Sequence, residues 1–285
     1  MVRIRGGSFG MGSQRFYPEE RPVRTVAVDD FWIDAAPVTN EAWARFVSAT
    51  GYLSWAEREA VALPARAQPV LGSMVFMRPA ADGSGDVQTW WSFVEGACWH
   101  RPLGPGSSVD GLEDHPVVHI AYEDAQAYAR WAGKTLPTEA QWEFAARGGL
   151  EGAEYAWGHD LEPGGAVLAN YWQGRFPHEN TLLDGWERTS PVGSFPPNGY
   201  GLLDMIGNVW EWTCSPWALP AQPEATCCHE AGHGEAGAAR SGPKVVKGGS
   251  HLCAQNYCQR YRPAARHRQD ADSPTSHIGF RCARA

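Results

Sequence analysis

Turn-forming residues constrain this chain more than any periodic pattern does. Its 285 residues include 32 glycines and 21 prolines, together with 14 tryptophans. Frequent Gly and Pro interrupt long regular elements. Large, rigid indole rings must then fill the space between many turns. The expectation is an irregular, loop-rich α+β globule with few helices, forming one domain over residues 1–285. A helical bundle or a doubly wound nucleotide fold does not fit this pattern. No Gly-x-Gly-x-x-Gly follows a strand, and no Gly-x-x-x-x-Gly-Lys-Ser/Thr loop is present.

Charge and cysteine usage narrow the class further. Lys plus Arg number 24 and Asp plus Glu 32, for a net charge of -8. That balance argues against a nucleic-acid binder or a polybasic membrane binder. No apolar run approaches the ~18 residues of a membrane helix. The opening Met1 to Gly7 lacks the apolar core of a secretory signal. Seven cysteines, an odd number, argue against a full disulfide framework. A reducing cytoplasm is the expectation, with thiols free, metal-bound or transiently redox-active.

Several segments carry clear local signals. Gly6 to Gly12 reads as a strand edge with turns, and Val23 to Asp34 as a strand pair. Thr39 caps a helix that buries Trp43, Phe46 and Val47 and ends at Gly51. Residues 52–110 read as an ordered excursion packed by Trp90, Trp91, Phe93 and Trp99. The segment from His115 to Ile120 reads as a short strand, and Glu123 to Ala132 as a helix closed by Gly133. Thr138 and Gln141 form a capping box for a helix stopped by Gly148 and Gly149. Lys244 to Lys247 and His277 to Cys282 read as strands. Residues 215–243, rich in Ala, Gly, Pro and Glu, read as a mobile surface insertion.

Four groups of residues bear on chemistry. Cys253 and Cys258 follow a strand and the Gly248-Gly249 turn, five positions apart. Convergent thiolates form a soft site that suits Cu(I), whereas zinc normally wants four ligands. The flanking Arg260, Arg262 and Arg266 favour thiolate over thiol. A local disulfide and a pair of inert buried cysteines are the alternatives. Cys227, Cys228, His229 and His233 read either as a metal site or as part of a surface loop. His115 and His119, four apart on a strand, lie too far apart for one ion and read as structural. Asn170, Asp184, Asp204 and Glu211 stand among turns and suit either calcium or ordinary turn capping.

Together these motifs resemble the formylglycine-generating enzyme family, the sulfatase-modifying factors, in its prokaryotic form. The likeness runs through Gly6 to Ser13, Phe31 to Asp34, Pro37 to Asn40, His115 to Val118 and Trp131 to Lys134. It continues through Leu136 to Glu139, Trp142 to Gly149, Phe195 to Leu202, Asp204 to Trp212, Lys247 to Ser250 and Gly279 to Cys282. Most of these pieces mark a wider superfamily that includes non-catalytic modules and iron-dependent sulfoxide synthases. The segment Gly248-Gly-Ser-His-Leu-Cys253-Ala-Gln-Asn-Tyr-Cys258 is the specific one, because it resembles the family's catalytic motif.

The resemblance implies the family's variant of the C-type-lectin fold. It implies oxidation of a cysteine in a Cys-x-Pro-x-Arg segment of an unfolded sulfatase to Cα-formylglycine, using O2, a thiol reductant and Cu(I) held by Cys253 and Cys258. Ser250 and Trp210 match family residues of the catalytic pocket, and Tyr257 is a further pocket candidate. One structural calcium would lie around Asn170, the Tyr171 carbonyl, Asp184 and the Trp186 carbonyl. A second would lie around Asp204, the Gly207 and Val209 carbonyls, and Glu211. The partners implied are a sulfatase polypeptide and small molecules, with no nucleic acid, no membrane and a monomeric enzyme. Where secreted animal members carry structural cysteines, this chain has Ala129, Ala145 and Pro263. The rival readings are a non-catalytic lectin-fold binding or accessory module, a sulfoxide synthase lacking its helical domain, and a metal-free thiol oxidase.

Overall fold

The computed structural model describes residues 1–64, 67–79, 90–219 and 242–285. Cys227, Cys228, His229, His233 and most of the expected insertion lie outside the described residues. In chain order the strands and helices are β1 (Val2–Ile4), β2 (Gly7–Met11), β3 (Arg24–Val28), β4 (Phe31–Ile33), α1 (Asn40–Thr50) and α2 (Trp55–Arg58). There follow β5 (Gly72–Phe76), β6 (Trp91–Glu95), α3 (Tyr122–Trp131), α4 (Glu139–Ala146) and β7 (Trp210–Pro216). The chain ends with β8 (Lys244–Lys247), β9 (Arg266–Gln269), β10 (Ile278–Gly279) and β11 (Ala283–Arg284). The long tract 147–209 forms no α-helix or strand, as its turn residues require.

Two small sheets frame the molecule. β1, β4 and β11 form one, in that order, joining both ends of the chain. The other runs β10-β7-β8-β9, with β10 parallel to β7 and the remaining pairs antiparallel. The hairpins β2-β3 and β5-β6 flank them. The expected strand pair over 23–34 is corrected here. β3 and β4 both form, but β3 pairs with β2 and β4 with β1. The expected strand at 115–120 also does not form, because His119 turns left-handed at φ 62°. Only an isolated bridge from Pro116 to Thr39 remains. The C-terminal strand splits into β10 and β11 around Phe280, Arg281 and Cys282. Ser215 and Pro216, expected in the insertion, belong to β7.

Helix ends follow their sequence signals. The Thr39 hydroxyl accepts from Ala42 N–H and the Thr138 hydroxyl from Gln141 N–H. Gly51 closes α1 in the left-handed region at φ 68°. α1 and α3 meet through aromatic rings: Trp43 stacks on Tyr128 and packs edge-on against Phe280. A second cluster gathers Phe9, Phe31, Ile33, Trp142 and Phe144. A third gathers Phe76, Trp90, Trp172 and Phe176 around Leu252 and Ala254.

α4 lies on a bed of buried ion pairs. Glu143 accepts from Lys247 at 2.8 Å and from Arg147 at 2.8 Å. Arg266 grips Glu139, Arg262 grips Glu20, and Arg281 grips Glu211, each through two bonds. Burial alone would raise the Glu143 carboxyl, yet Lys247 and Arg147 hold it below the usual carboxylate range.

Candidate active site

β8 ends at Lys247, and two glycines turn the chain sharply. A Cβ on Gly249 would lie 2.6 Å from the Arg260 carbonyl oxygen, and one on Gly248 would meet Met205 O and the Trp142 ring at 3.0 Å. Both residues have positive φ, 94° and 73°. Only glycine permits this fold-back, which lays residues 250–258 over the end of the sheet. Ser250 O accepts from Cys253 N–H, and Ala254 O accepts from Cys258 N–H, both at 2.9 Å. These two turns aim both thiols at one point. Trp172 N–H binds Cys253 O at 2.9 Å and pins the loop from the other side.

The sulfurs of Cys253 and Cys258 lie 3.2 Å apart, within hydrogen-bond reach and not bonded to each other. Cys253 is buried, while Cys258 is half-buried. Burial drives the Cys253 thiol well above its ordinary pKa. The hydrogen bond from Cys253 pulls Cys258 down, and Arg260 and Arg262 add to that pull. Of the two thiols, Cys258 is therefore the readier to ionise and Cys253 the more reluctant. Arg266 instead bonds both oxygens of Glu139.

The remaining pocket candidates fall near this pair in different ways. Ser250 is fully buried, and its hydroxyl accepts from Leu252 N–H at 3.2 Å. Trp210 shares a core cluster with Cys253 and Tyr261, and its N–H donates to the His277 carbonyl. Tyr257 is 55% exposed and stacks on Phe176, with ring centroids 4.7 Å apart. Trp90 meets Tyr257 edge-on at 5.5 Å. The sequence reading missed Phe176 and Trp172 as walls of this site. It also missed Asn208, whose carbonyl accepts from both His251 N–H and His251 Nδ1. Nothing in local spacing marks them, because they come from the irregular tract. Burial holds His251 and His277, which flank this site, neutral and well below ordinary imidazole values.

The expected calcium donors are arranged in two unlike sets. In the first, Asn170 Oδ1 is buried without a partner. Gln173 Nε2 donates both to Tyr171 O and to Asp184 Oδ2, so these oxygens converge. Asp184 Oδ1 accepts from Trp186 N–H, and burial raises the Asp184 carboxyl. An orphaned amide oxygen and a desolvated carboxyl are each donors that suit a hard cation. In the second set, both Glu211 oxygens already accept from Arg281, and one also accepts from Trp142 Nε1. Asp204 accepts from Gly193 N–H. His115 and His119 are structural, as expected: His115 bonds Thr189, and His119 bridges Ser73 and the Pro102 carbonyl.

A loop-rich α+β domain with a dithiol cradle behind a Gly-Gly turn defines a class. Residues 1–285 match the family described as "Sulfatase-modifying factor enzyme 1-like domain", and the chain belongs to that family. It is 52% identical to a protein of Mycobacterium tuberculosis named formylglycine-generating enzyme, with 99% of this chain and 96% of that protein aligned. A Streptomyces coelicolor protein of the same name is 49% identical, covering 99% and 88% of the two chains. A Bos taurus protein named inactive C-alpha-formylglycine-generating enzyme 2 is 39% identical, covering 99% and 87%. The solved structure of PvdO from Pseudomonas aeruginosa shares the fold, with a TM-score of 0.66 at 24% identity, over 99% and 93% of the chains. Among the described residues, no helix is long and apolar enough to cross a membrane.

Proposed function

We propose that this protein is a formylglycine-generating enzyme. It oxidises a cysteine in a Cys-x-Pro-x-Arg segment of an unfolded sulfatase to Cα-formylglycine. The observation that carries this reading is the convergence of Cys253 and Cys258 sulfurs at 3.2 Å within a chain 52% identical to a protein of that name. Family membership alone does not separate catalysis from the inactive relative. The dithiol does, because a binding module has no need of it.

The net chemistry fixes what the site must do. The thiol-bearing methylene of the substrate cysteine, with O2, two electrons and two protons, becomes an aldehyde, hydrogen sulfide and water. A thiol reductant supplies the two electrons. Cu(I) suits two convergent sulfurs, and when bound it supplies the one-electron chemistry that O2 requires. Cys253 and Cys258 would hold it. Cys258 gives up its proton to a soft ion the more readily, while Cys253 must give up a proton that burial makes costly to lose. Tyr257, Phe176 and Trp90 offer an apolar wall against which an extended peptide can lie. The buried Ser250 and Trp210 close the inner side and exclude water from the reacting carbon.

One calcium ion at Asn170, Tyr171 O, Asp184 and Trp186 O belongs to this reading. A second at Asp204, Gly207 O, Val209 O and Glu211 would share Glu211 with Arg281. Action as a monomer in a reducing cytoplasm completes the proposal. Cys98, Cys253, Cys258 and Cys282 have free thiols, although Cys214 is disulfide-bonded.

The test is mass spectrometry of a Cys-x-Pro-x-Arg peptide incubated with enzyme, reductant and O2, with and without Cu(I). Copper-dependent conversion of thiol to aldehyde, lost in Cys253→Ser, is expected. An unchanged peptide with copper-loaded, folded enzyme would overturn the reading.

A further inference from the structure

Away from the dithiol, three chemically different ligand groups face one another. Cys98 Sγ lies 3.4 Å from His100 Nδ1, and this same Nδ1 lies 3.6 Å from Glu57 Oε1. Ligand atoms of all three residues lie within 4.8 Å of one another. Separate stretches of chain deliver them. Glu57 sits on α2, where its Oε2 accepts from the Ser54 backbone and hydroxyl and so leaves Oε1 turned toward His100. Cys98 and His100 come from a turn closed by reciprocal backbone bonds between Cys98 and Arg101. Cys98 is fully buried and its thiol is free, whereas the His100 side chain is 36% exposed.

We propose that Glu57, Cys98 and His100 form a zinc site separate from the Cys253/Cys258 centre. The donor set selects the ion. Sulfur excludes calcium and magnesium as fitting occupants, and carboxylate is a poor partner for Cu(I). Thiolate, imidazole and carboxylate together are zinc ligands. The spacing agrees as well. Tetrahedral zinc with ordinary bond lengths places sulfur about 3.6 Å from nitrogen, and nitrogen about 3.3 Å from oxygen. The observed 3.4 and 3.6 Å differ from these by only a few tenths of an ångström, and because Sγ also lies 3.8 Å from His100 Nε2, the half-open imidazole must turn to aim Nδ1 at the ion. The solvent-facing side of His100 leaves the fourth position for water. Such a site would tie α2 to the turn after β6, whose hairpin brings Phe76 and Trp90 against the aromatic wall of the dithiol.

The test uses the full chain carrying Cys253→Ser, Cys258→Ser, Cys227→Ser and Cys228→Ser, kept reduced, so that neither the dithiol nor the adjacent cysteine pair can contribute. Titration with Co2+ is expected to give a 1:1 thiolate-to-cobalt charge-transfer band in the near ultraviolet, which one equivalent of Zn2+ abolishes. Adding Cys98→Ser should remove the band. Adding His100→Gln, at a half-open position where folding is not at risk, should weaken zinc binding about 100-fold. Failure of the band to form in the folded protein carrying these serines would overturn the site. So would a band that survives Cys98→Ser, or zinc affinity unchanged by His100→Gln.

Discussion

Lys247 and Cys253 are six residues apart, yet they belong to regions built on opposite terms. Around Lys247 every buried charge has a partner: Glu143, Glu139, Arg147 and Arg266 form one closed network beneath α4. Around Cys253 the polar groups are sparse, and the sulfurs have chiefly each other. Burying a charge is tolerable only when it is paired and hydrogen-bonded. The network meets that condition and makes a rigid floor. The dithiol leaves its bonding capacity unused, which is what the proposed function requires of it. The Gly248-Gly249 turn is the seam between the two.

Breaking the reactive side should have the largest effect. Cys253→Ser or Cys258→Ser should lower turnover on a Cys-x-Pro-x-Arg peptide by about three orders of magnitude. The unfolding midpoint in urea should barely move. Breaking the floor should do the reverse. Lys247→Met leaves Glu143 with Arg147 and the Gly12 N–H but without its buried ammonium partner, at a cost of about 3–5 kcal/mol in urea unfolding. If Lys247→Met leaves stability intact, the contrast between the two regions fails.

A milder test uses acid. Buried His119 is pushed down to about 4 from an ordinary 6.5. Between these values the unfolded chain binds a proton that the folded chain refuses. Stability therefore falls as pH drops from 6.5 to 4, by about 3 kcal/mol for this group. Urea titrations at several pH values check it, and His119→Gln should remove this group's share of the slope, while His251, His267 and His277 keep theirs. Tyr257→Ala should lower kcat/KM for the peptide about tenfold through the lost aromatic wall, leaving the melting temperature nearly unchanged. The smallest effect belongs to the Thr138 cap on the floor's own helix. Thr138→Ala should cost about 1 kcal/mol by thermal unfolding.

The sequence was most legible where a local rule decides the structure. Thr39 and Gly51 bound α1 because capping and a left-handed stop are short-range effects. The same holds for Thr138 with Gln141, and for the Gly-Gly turn that sets the dithiol. Pairing between strands was not legible. β3 and β4 lie three residues apart, but their partners are β2 and β1, and nothing local encodes that choice. His119 defeated the strand pattern because its buried ring is held by Ser73 and Pro102, far away in sequence. Phe176 and Trp172 were hidden in a tract without periodicity. The clustered Glu57, Cys98 and His100 escaped for a similar reason, since α2 meets its ligand partners only in the folded chain.

The unequal burial of the two sulfurs gives the site a direction. Cys258 is the half-buried sulfur and the readier to ionise, while Cys253 stands behind it, sealed in and reluctant to lose its proton. Whatever arrives meets the outer sulfur first: a metal ion, an alkylating reagent or a foreign thiol. The inner sulfur is reached only by way of its neighbour. Two chemically identical side chains thus become a threshold and a back wall, and the order in which they are used is written into the depth at which each lies.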